Sequence, residues 1–266
     1  MFRRLSPALV AVAALPLVAR AQDVKLSYAP QTATFVINST TKVAQEMMGQ
    51  KQEGESQAMQ RMSLTTTAKG GGQLDYVVSL DTMSATSSMG PAPDLSKVIG
   101  IKFTGVMGTN GKTISGDVQV PLGGDAKSPQ ANALRTFLPL LGSNLKVGAE
   151  WTDSVTVSVA QANGAEVTQT TLFKYRLAGD TAVEGTKAWK IAADSKTTVK
   201  GQGNMQGQNF SIEGSGTGSG VHVISADGKY LGRSGKDETN LTVTVDAMGM
   251  VIPITQSSVV SVMRQR

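Results

Sequence analysis

Catalysis and metal binding need titratable, nucleophilic or ligating side chains at suitable spacings, and this chain offers few of them. It has one histidine and no cysteine. His222 lies in Val221-His222-Val223, alternating with apolar neighbours. No nucleophile or carboxylate stands at a spacing that would make it a general base. The pattern predicts an ordinary strand residue and no catalytic site. Without cysteine, and with a single histidine, the residue types for a zinc or other transition-metal site are missing. Asp227-Gly228 has Ser225 two places before it and Val223 four places before it, so it reads as a turn and not as a calcium loop.

Three stretches imitate known chemical motifs. Gly105 to Thr113 looks like a phosphate loop, but the first glycine of that motif would have to stand at Val106. A strand pattern also follows it, so a hairpin turn at Asn110-Gly111 is expected. Ser39-Thr40-Thr41-Lys42 has the S-x-x-K spacing, yet sits in a strand pattern without the companion S-D-N and K-T-G motifs. Gly214 to Gly220 has G-x-G spacing, but no helix follows to hold a pyrophosphate at its N-terminus. That run reads as a flexible or bulged connection between strands. No cofactor is implied by any of the three.

What remains is apolar surface. Met47, Met48, Met59 and Met62 crowd one predicted hairpin, and Met248 and Met250 another strand. Thioether side chains adapt to irregular apolar ligands and equally well fill a loose core.

The elements that carry these residues are strands. From Phe210 to Val245 the chain reads strand, glycine-rich break, strand, Asp227-Gly228 turn, strand, second break at Gly232 to Gly235, strand. Period-two alternation closed by Asp-Gly and glycine clusters signals an antiparallel meander. Thr32 to Met48 and Ala58 to Ala68 predict a long hairpin, with a helix over Val43 to Met62 as the rival. Leu74, Tyr76, Val78 and Leu80 alternate with Gln73, Asp75, Val77 and Ser79. Ser84 to Pro93 reads as loop, and Asp94 as the cap of one helical turn. Asn110-Gly111 and Asn163-Gly164 predict hairpins. Lys196 to Gly207 reads as a polar hairpin tip. Pro253 suits an edge strand.

One helix is expected mid-chain. Ser128 is a natural N-cap with Pro129 at the first helical position. Leu134, Phe137, Leu138 and Leu141 would share one face, with Pro139 kinking or ending the helix. The fold class is therefore mainly β: a strongly curved antiparallel sheet, a half-open β-barrel, with one short helix as a plug.

The first 21 residues predict an export leader. Arg3 and Arg4 precede an apolar run from Leu9 to Val18, and Ala19-Arg20-Ala21 fits the A-x-A rule, so cleavage is expected after Ala21. An N-terminal anchor helix is the alternative, although the apolar run is short for a span. No cysteine follows to carry a lipid anchor. Residues 22–266 then form one β-rich domain without a transmembrane segment, in the periplasm or secreted. Of the 25 Lys and Arg residues three leave with the leader, which brings the remainder close to balance with the 20 acidic residues. No basic run or aromatic interleaving supports a nucleic-acid partner.

Four local patterns line up in order: Ile99 to Phe103 ahead of Asn110-Gly111, Val147 to Asp153, Gly185 to Ile191, and Gly214 to Gly228. This order resembles uncharacterised exported bacterial families of the DUF6263 kind. Their presumed shape is similar to the half-open barrels of lipoprotein-localisation and lipid carriers of the LolA and LppX type. The resemblance implies a non-catalytic exported binding protein holding a lipid or other apolar ligand in the half-barrel. Its expected lining is Phe35, Ile37, Tyr76, Val78, Leu80, Phe103, Phe137 and Leu141. The alternative is a cell-envelope scaffold or protein-interaction module without a small ligand. A lined cavity favours the first, and a filled core the second.

Overall fold

The structure, a computed structural model, describes residues 23–47, 49–88, 90, 94–160, 165–205 and 207–265. The predicted leader and the Asn163-Gly164 hairpin tip lie outside these residues. The N-terminal half supplies β1 (Gln31–Met47), β2 (Gln50–Gly70), β3 (Gln73–Ser87), β4 (Lys102–Gly108) and β5 (Thr113–Gln119). A short helix α1 (Pro129–Arg135) follows. The C-terminal half supplies β6 (Glu150–Ala160), β7 (Glu166–Val183), β8 (Thr186–Met205), β9 (Gln208–Ser225), β10 (Tyr230–Val245) and β11 (Met250–Arg264). All belong to one antiparallel sheet in the order β5-β4-β3-β2-β1-β11-β10-β9-β8-β7-β6. The sheet is a curved half-barrel, open between β5 and β6.

Two meanders make this order, one stepping outward from β1 and the other inward to β11. Their seam is the β1–β11 pairing, with Phe35 opposite Arg264 and Gln45 opposite Ile254. Every other pair of neighbours is consecutive in sequence, so among the described residues the seam is the one pairing between strands far apart in the chain. The chain must then pass from β5 at one edge to β6 at the other. Ten strand spacings separate them, about 48 Å on a flat sheet at about 4.8 Å each. Residues 120–149 make the passage across one face, here the inner face, and carry α1. The N-terminal segment joins them there through the Val24–Leu145 bridge.

The turns follow the sequence. Gly70, Gly71 and Gly72 all have positive φ between β2 and β3, as does Gly228 after Asp227. Gly108 and Gly111 close the β4–β5 turn, with the Gly111 N–H donating to the Gly108 carbonyl at 2.8 Å. The helical rival for Val43 to Met62 is excluded, because residues 43–47 and 50–62 pair along the β1–β2 ladder. Asp94 caps its single turn through the Ser96 N–H at 3.0 Å.

Several breaks read from composition prove to be strand. β9 runs unbroken through Gly214, Gly216, Gly218 and Gly220, so this is no flexible connection. A Cβ would come within 2.4 Å of the Asn240 carbonyl oxygen at Gly214 and 2.7 Å of the Glu238 carbonyl oxygen at Gly216. Glycine here lets β10 coil close against β9, and it reads as a break only because close approach and turning use the same residue. The Gly232 to Gly235 break is likewise strand, with a bulge between Tyr230 and Gly232. Ser84 to Ser87 extends β3, and Lys196 to Met205 extends β8, each held by ladder partners that local composition does not reveal. Pro253 lies on β11, inside the sheet and not at its edge. The β1 ladder ends at Gln45–Ile254, so beside Pro253 that flank of β11 is a local edge.

The helix is shorter than the apolar stripe. Ser128 caps it, with its hydroxyl oxygen accepting from the Ala131 N–H at 3.3 Å. It ends at Arg135 with Thr136 as C-cap. Leu134 is therefore helical, while Phe137, Leu138 and Leu141 lie beyond it. Pro139 supplies the reason: its ring would meet the Arg135 carbonyl four residues back, and it disfavours helical φ/ψ at Leu138.

The main core fills the inner face where the crossing segments lie, and a smaller cluster of Val167, Val199, Phe210, Ile212 and Val245 sits at the far end of β7 to β10.

Candidate functional site

The expected lining residues come together, but on one another. Phe35, Val78 and Leu80 are at most 1 % exposed; Tyr76, Phe103, Phe137 and Leu141 are also buried. Ile37 is half-buried against the same cluster. Phe137 meets Phe35 edge-on at 5.3 Å and Tyr230 at 5.5 Å; Tyr76 meets Phe103 at 5.5 Å. Where a ligand chamber was expected, these side chains make a packed core under the crossing segment.

Three ring donors tie that segment down. The Tyr28 hydroxyl donates to the Pro139 carbonyl at 2.9 Å, the Tyr76 hydroxyl to the Leu134 carbonyl at 3.1 Å, and the Trp151 indole N–H to the Leu140 carbonyl at 2.9 Å. Irregular backbone in a core must find partners for its carbonyls, and amphipathic rings provide both the apolar body and the donor. Burial pushes the Tyr28 and Tyr76 hydroxyls well above their ordinary pKa, so both stay protonated donors.

His222 belongs to the same core. Its Nδ1 lies 3.3 Å from the Tyr230 hydroxyl, and its ring packs against Tyr175. Burial, with a smaller push from Arg233, takes its pKa down to about 3. The imidazole is neutral at pH 7. Thr41 of the S-x-x-K stretch bonds the Ser258 hydroxyl across the seam at 3.0 Å, and the Asn110 side-chain oxygen accepts from the Lys112 N–H in the hairpin that mimics a phosphate loop. Among the described residues no three His, Cys, Asp or Glu side chains converge as a metal site.

Open space lies instead on the outer face, as a groove of about 1440 Å³. A twisted sheet is saddle-shaped, so the face turned from the core is also hollow along one diagonal. Two bulges bend the strands beside it, one at Tyr230/Gly232 and one at Arg61/Met62. Gly232 has φ 141°, and a Cβ there would come within 2.2 Å of the Val262 carbonyl oxygen.

The strand register defines one row across this face. Arg61 on β2 is opposite Val36 on β1, and Val36 is opposite Met263 on β11. Met263 is opposite Gly232 on β10, which is opposite Val223 on β9 and, beyond it, Lys190 on β8. An apolar middle is thus flanked by a cation at each end, five strand spacings or about 24 Å apart. Thr32, Thr34, Ser234 and Ser261 add hydroxyls, and Val221 and Leu231 add aliphatic surface. Asp81 also lines the groove, where it accepts from the Ser63 and Ser79 hydroxyls. Asp227 is ion-paired with Lys229 at 2.9 Å.

Little in the sequence marks this row, because its members come from six strands that turn-by-turn reading does not align. The local signal was only the half of each alternation not assigned to the core, such as Val221 and Val223 around His222.

The fold and groove define an open antiparallel half-barrel with a filled inner face and a hollow outer one. No protein-family model matches the chain, so the DUF6263-like resemblance gains nothing from that comparison, and no curated protein matches it. Among solved structures the chain is similar to DynF from the dynemicin biosynthesis pathway of Micromonospora chersina, at 12% identity over 97% of this chain and 92% of that one, with a TM-score of 0.23. It is similar to OccK2 (OpdF) of Pseudomonas aeruginosa at 8% identity over 89% of this chain and 98% of that one, with a TM-score of 0.29. A DUF1329 family protein from Desulfovibrio piger is 10% identical over 85% of this chain and 83% of that one, with a TM-score of 0.21. The functional reading therefore rests on this chain's own residues.

Proposed function

We propose that the protein is an exported, non-catalytic binding protein that holds an elongated amphipathic ligand in the outer-face groove. The observation that carries this reading is the row of Met263, Gly232 and Val223, with Val221 and Leu231 beside it, in a groove of about 1440 Å³. Ligand sites are concave, mostly apolar, and fixed by a few polar groups. The expected lining from Phe35 to Leu141 packs as core, which supports moving the ligand from the inner face to the outer one. Export rests on the Arg3-Arg4, Leu9 to Val18 and Ala19-Arg20-Ala21 pattern. The neutral, buried His222 supports a non-catalytic role.

A second reading is an envelope scaffold or protein-interaction module. The filled inner core favours it, and so do Val251 and Val259, about 60 % exposed on β11. Photo-crosslinking with a diazirine-bearing hexadecanoic acid separates the two. Adducts on the outer-face peptides of β9, β10 and β11 are expected. Adducts confined to residues 131–145 would return the ligand to the inner face, and no adducts at all would leave the scaffold reading in front.

A further inference from the structure

Resting on the groove as the ligand site, we propose that its ligand is a single-chain amphiphile with an acidic head, seated with the head at Arg61 and the chain across Met263 and Val223. Arg61 and Lys190 are both exposed, and among the described residues neither has a carboxylate within the 4.0 Å of an ion pair. Unpaired cations at the ends of an apolar row suit an acid on a hydrocarbon chain, and the span of about 24 Å leaves room for an extended chain of about sixteen carbons.

The two ends differ. Lys190 shares its end with Glu184, which also lines the groove. Near Arg61 the carboxylate is Asp81, whose two oxygens already accept from Ser63 and Ser79. Arg61 also offers two parallel N–H donors in a plane, the geometry that a carboxylate or phosphate accepts bidentately. Thr82 stands directly opposite it on β3 as a further hydroxyl donor. The missing side chain at Gly232 keeps the middle of the row low, so a chain can pass between Met263 and Val223.

The test compares sub-micellar hexadecanoate, hexadecanol and acetate by titration calorimetry on the exported protein and its Arg61→Gln and Lys190→Gln variants. Arg61 is exposed, so its substitution leaves the core intact. Hexadecanoate is expected to bind tightest, and Arg61→Gln to weaken it about two- to fivefold, as an exposed charge contact does. Lys190→Gln is expected to matter less. Raising the salt concentration should also weaken the acid and leave the alcohol unchanged. Equal binding of acid and alcohol, or no effect of Arg61→Gln, would overturn the acidic-head proposal while leaving the carrier reading in place. Acetate binding as well as hexadecanoate would mark a free-anion site and overturn it too. No binding of either chain would overturn both readings.

Discussion

Tyr28 and Pro139 are 111 residues apart in sequence and joined by a buried hydrogen bond of 2.9 Å. The bond fastens the N-terminal segment to the segment that crosses the half-barrel. Both segments are irregular, so neither can satisfy its polar groups within itself. The ring hydroxyl of one and the carbonyl of the other solve that problem together.

Tyr28→Phe keeps the ring and leaves the buried Pro139 carbonyl without its donor. The expected cost is about 1–3 kcal/mol, the desolvation penalty of an unsatisfied buried group. Urea unfolding measures it. Amide exchange should also quicken at Leu141, whose N–H donates to the Asn110 carbonyl in the same segment. An unchanged midpoint and unchanged exchange would mean that the crossing segment is held by packing alone.

Phe137→Ala should behave as a core truncation. Its ring sits between Phe35 and Tyr230, so the expected loss is about 3–5 kcal/mol. Capture of a fluorescent fatty acid by the folded variant should be unchanged, because the groove lies on the opposite face. A small loss of stability with altered capture would instead make the crossing segment a lid over an inner ligand.

His222 should make stability depend on pH. Its ordinary pKa of 6.5 falls to about 3 on folding. Between those values the unfolded chain binds the proton and the folded chain does not. Stability is therefore full above pH 6.5 and declines as the pH falls toward 3, by up to about 1.4 kcal/mol per pH unit. Between pH 6.5 and 5 few carboxylates titrate, so the slope there belongs to the histidine. Chemical unfolding of His222→Gln should show a flatter profile in that window, with ligand binding retained at pH 7. Parallel profiles would mean that the imidazole reaches water in the folded state.

The strands, most of their turns and the start of the helix were legible in the sequence, because each is a local matter. Alternation of Leu74, Tyr76, Val78 and Leu80 sets a half-buried strand whatever lies beside it. Gly70 to Gly72, Asp227-Gly228 and Asn110-Gly111 bend the chain through their own φ/ψ freedom, and Ser128-Pro129 starts a helix through its own cap. Tertiary structure alone decided what depends on a neighbour. Gly214 to Gly220 is strand because β10 coils against it, Pro253 is tolerated on an interior strand because the β1 ladder stops at Ile254, and Phe35 to Leu141 is packed core because the crossing segment lies on it. The sequence alternates between two faces without stating which is covered and which is left open. That choice follows from the seam between the first and last strands, which sends residues 120–149 across one face and leaves Arg61, Met263, Val223 and Lys190 in line on the other.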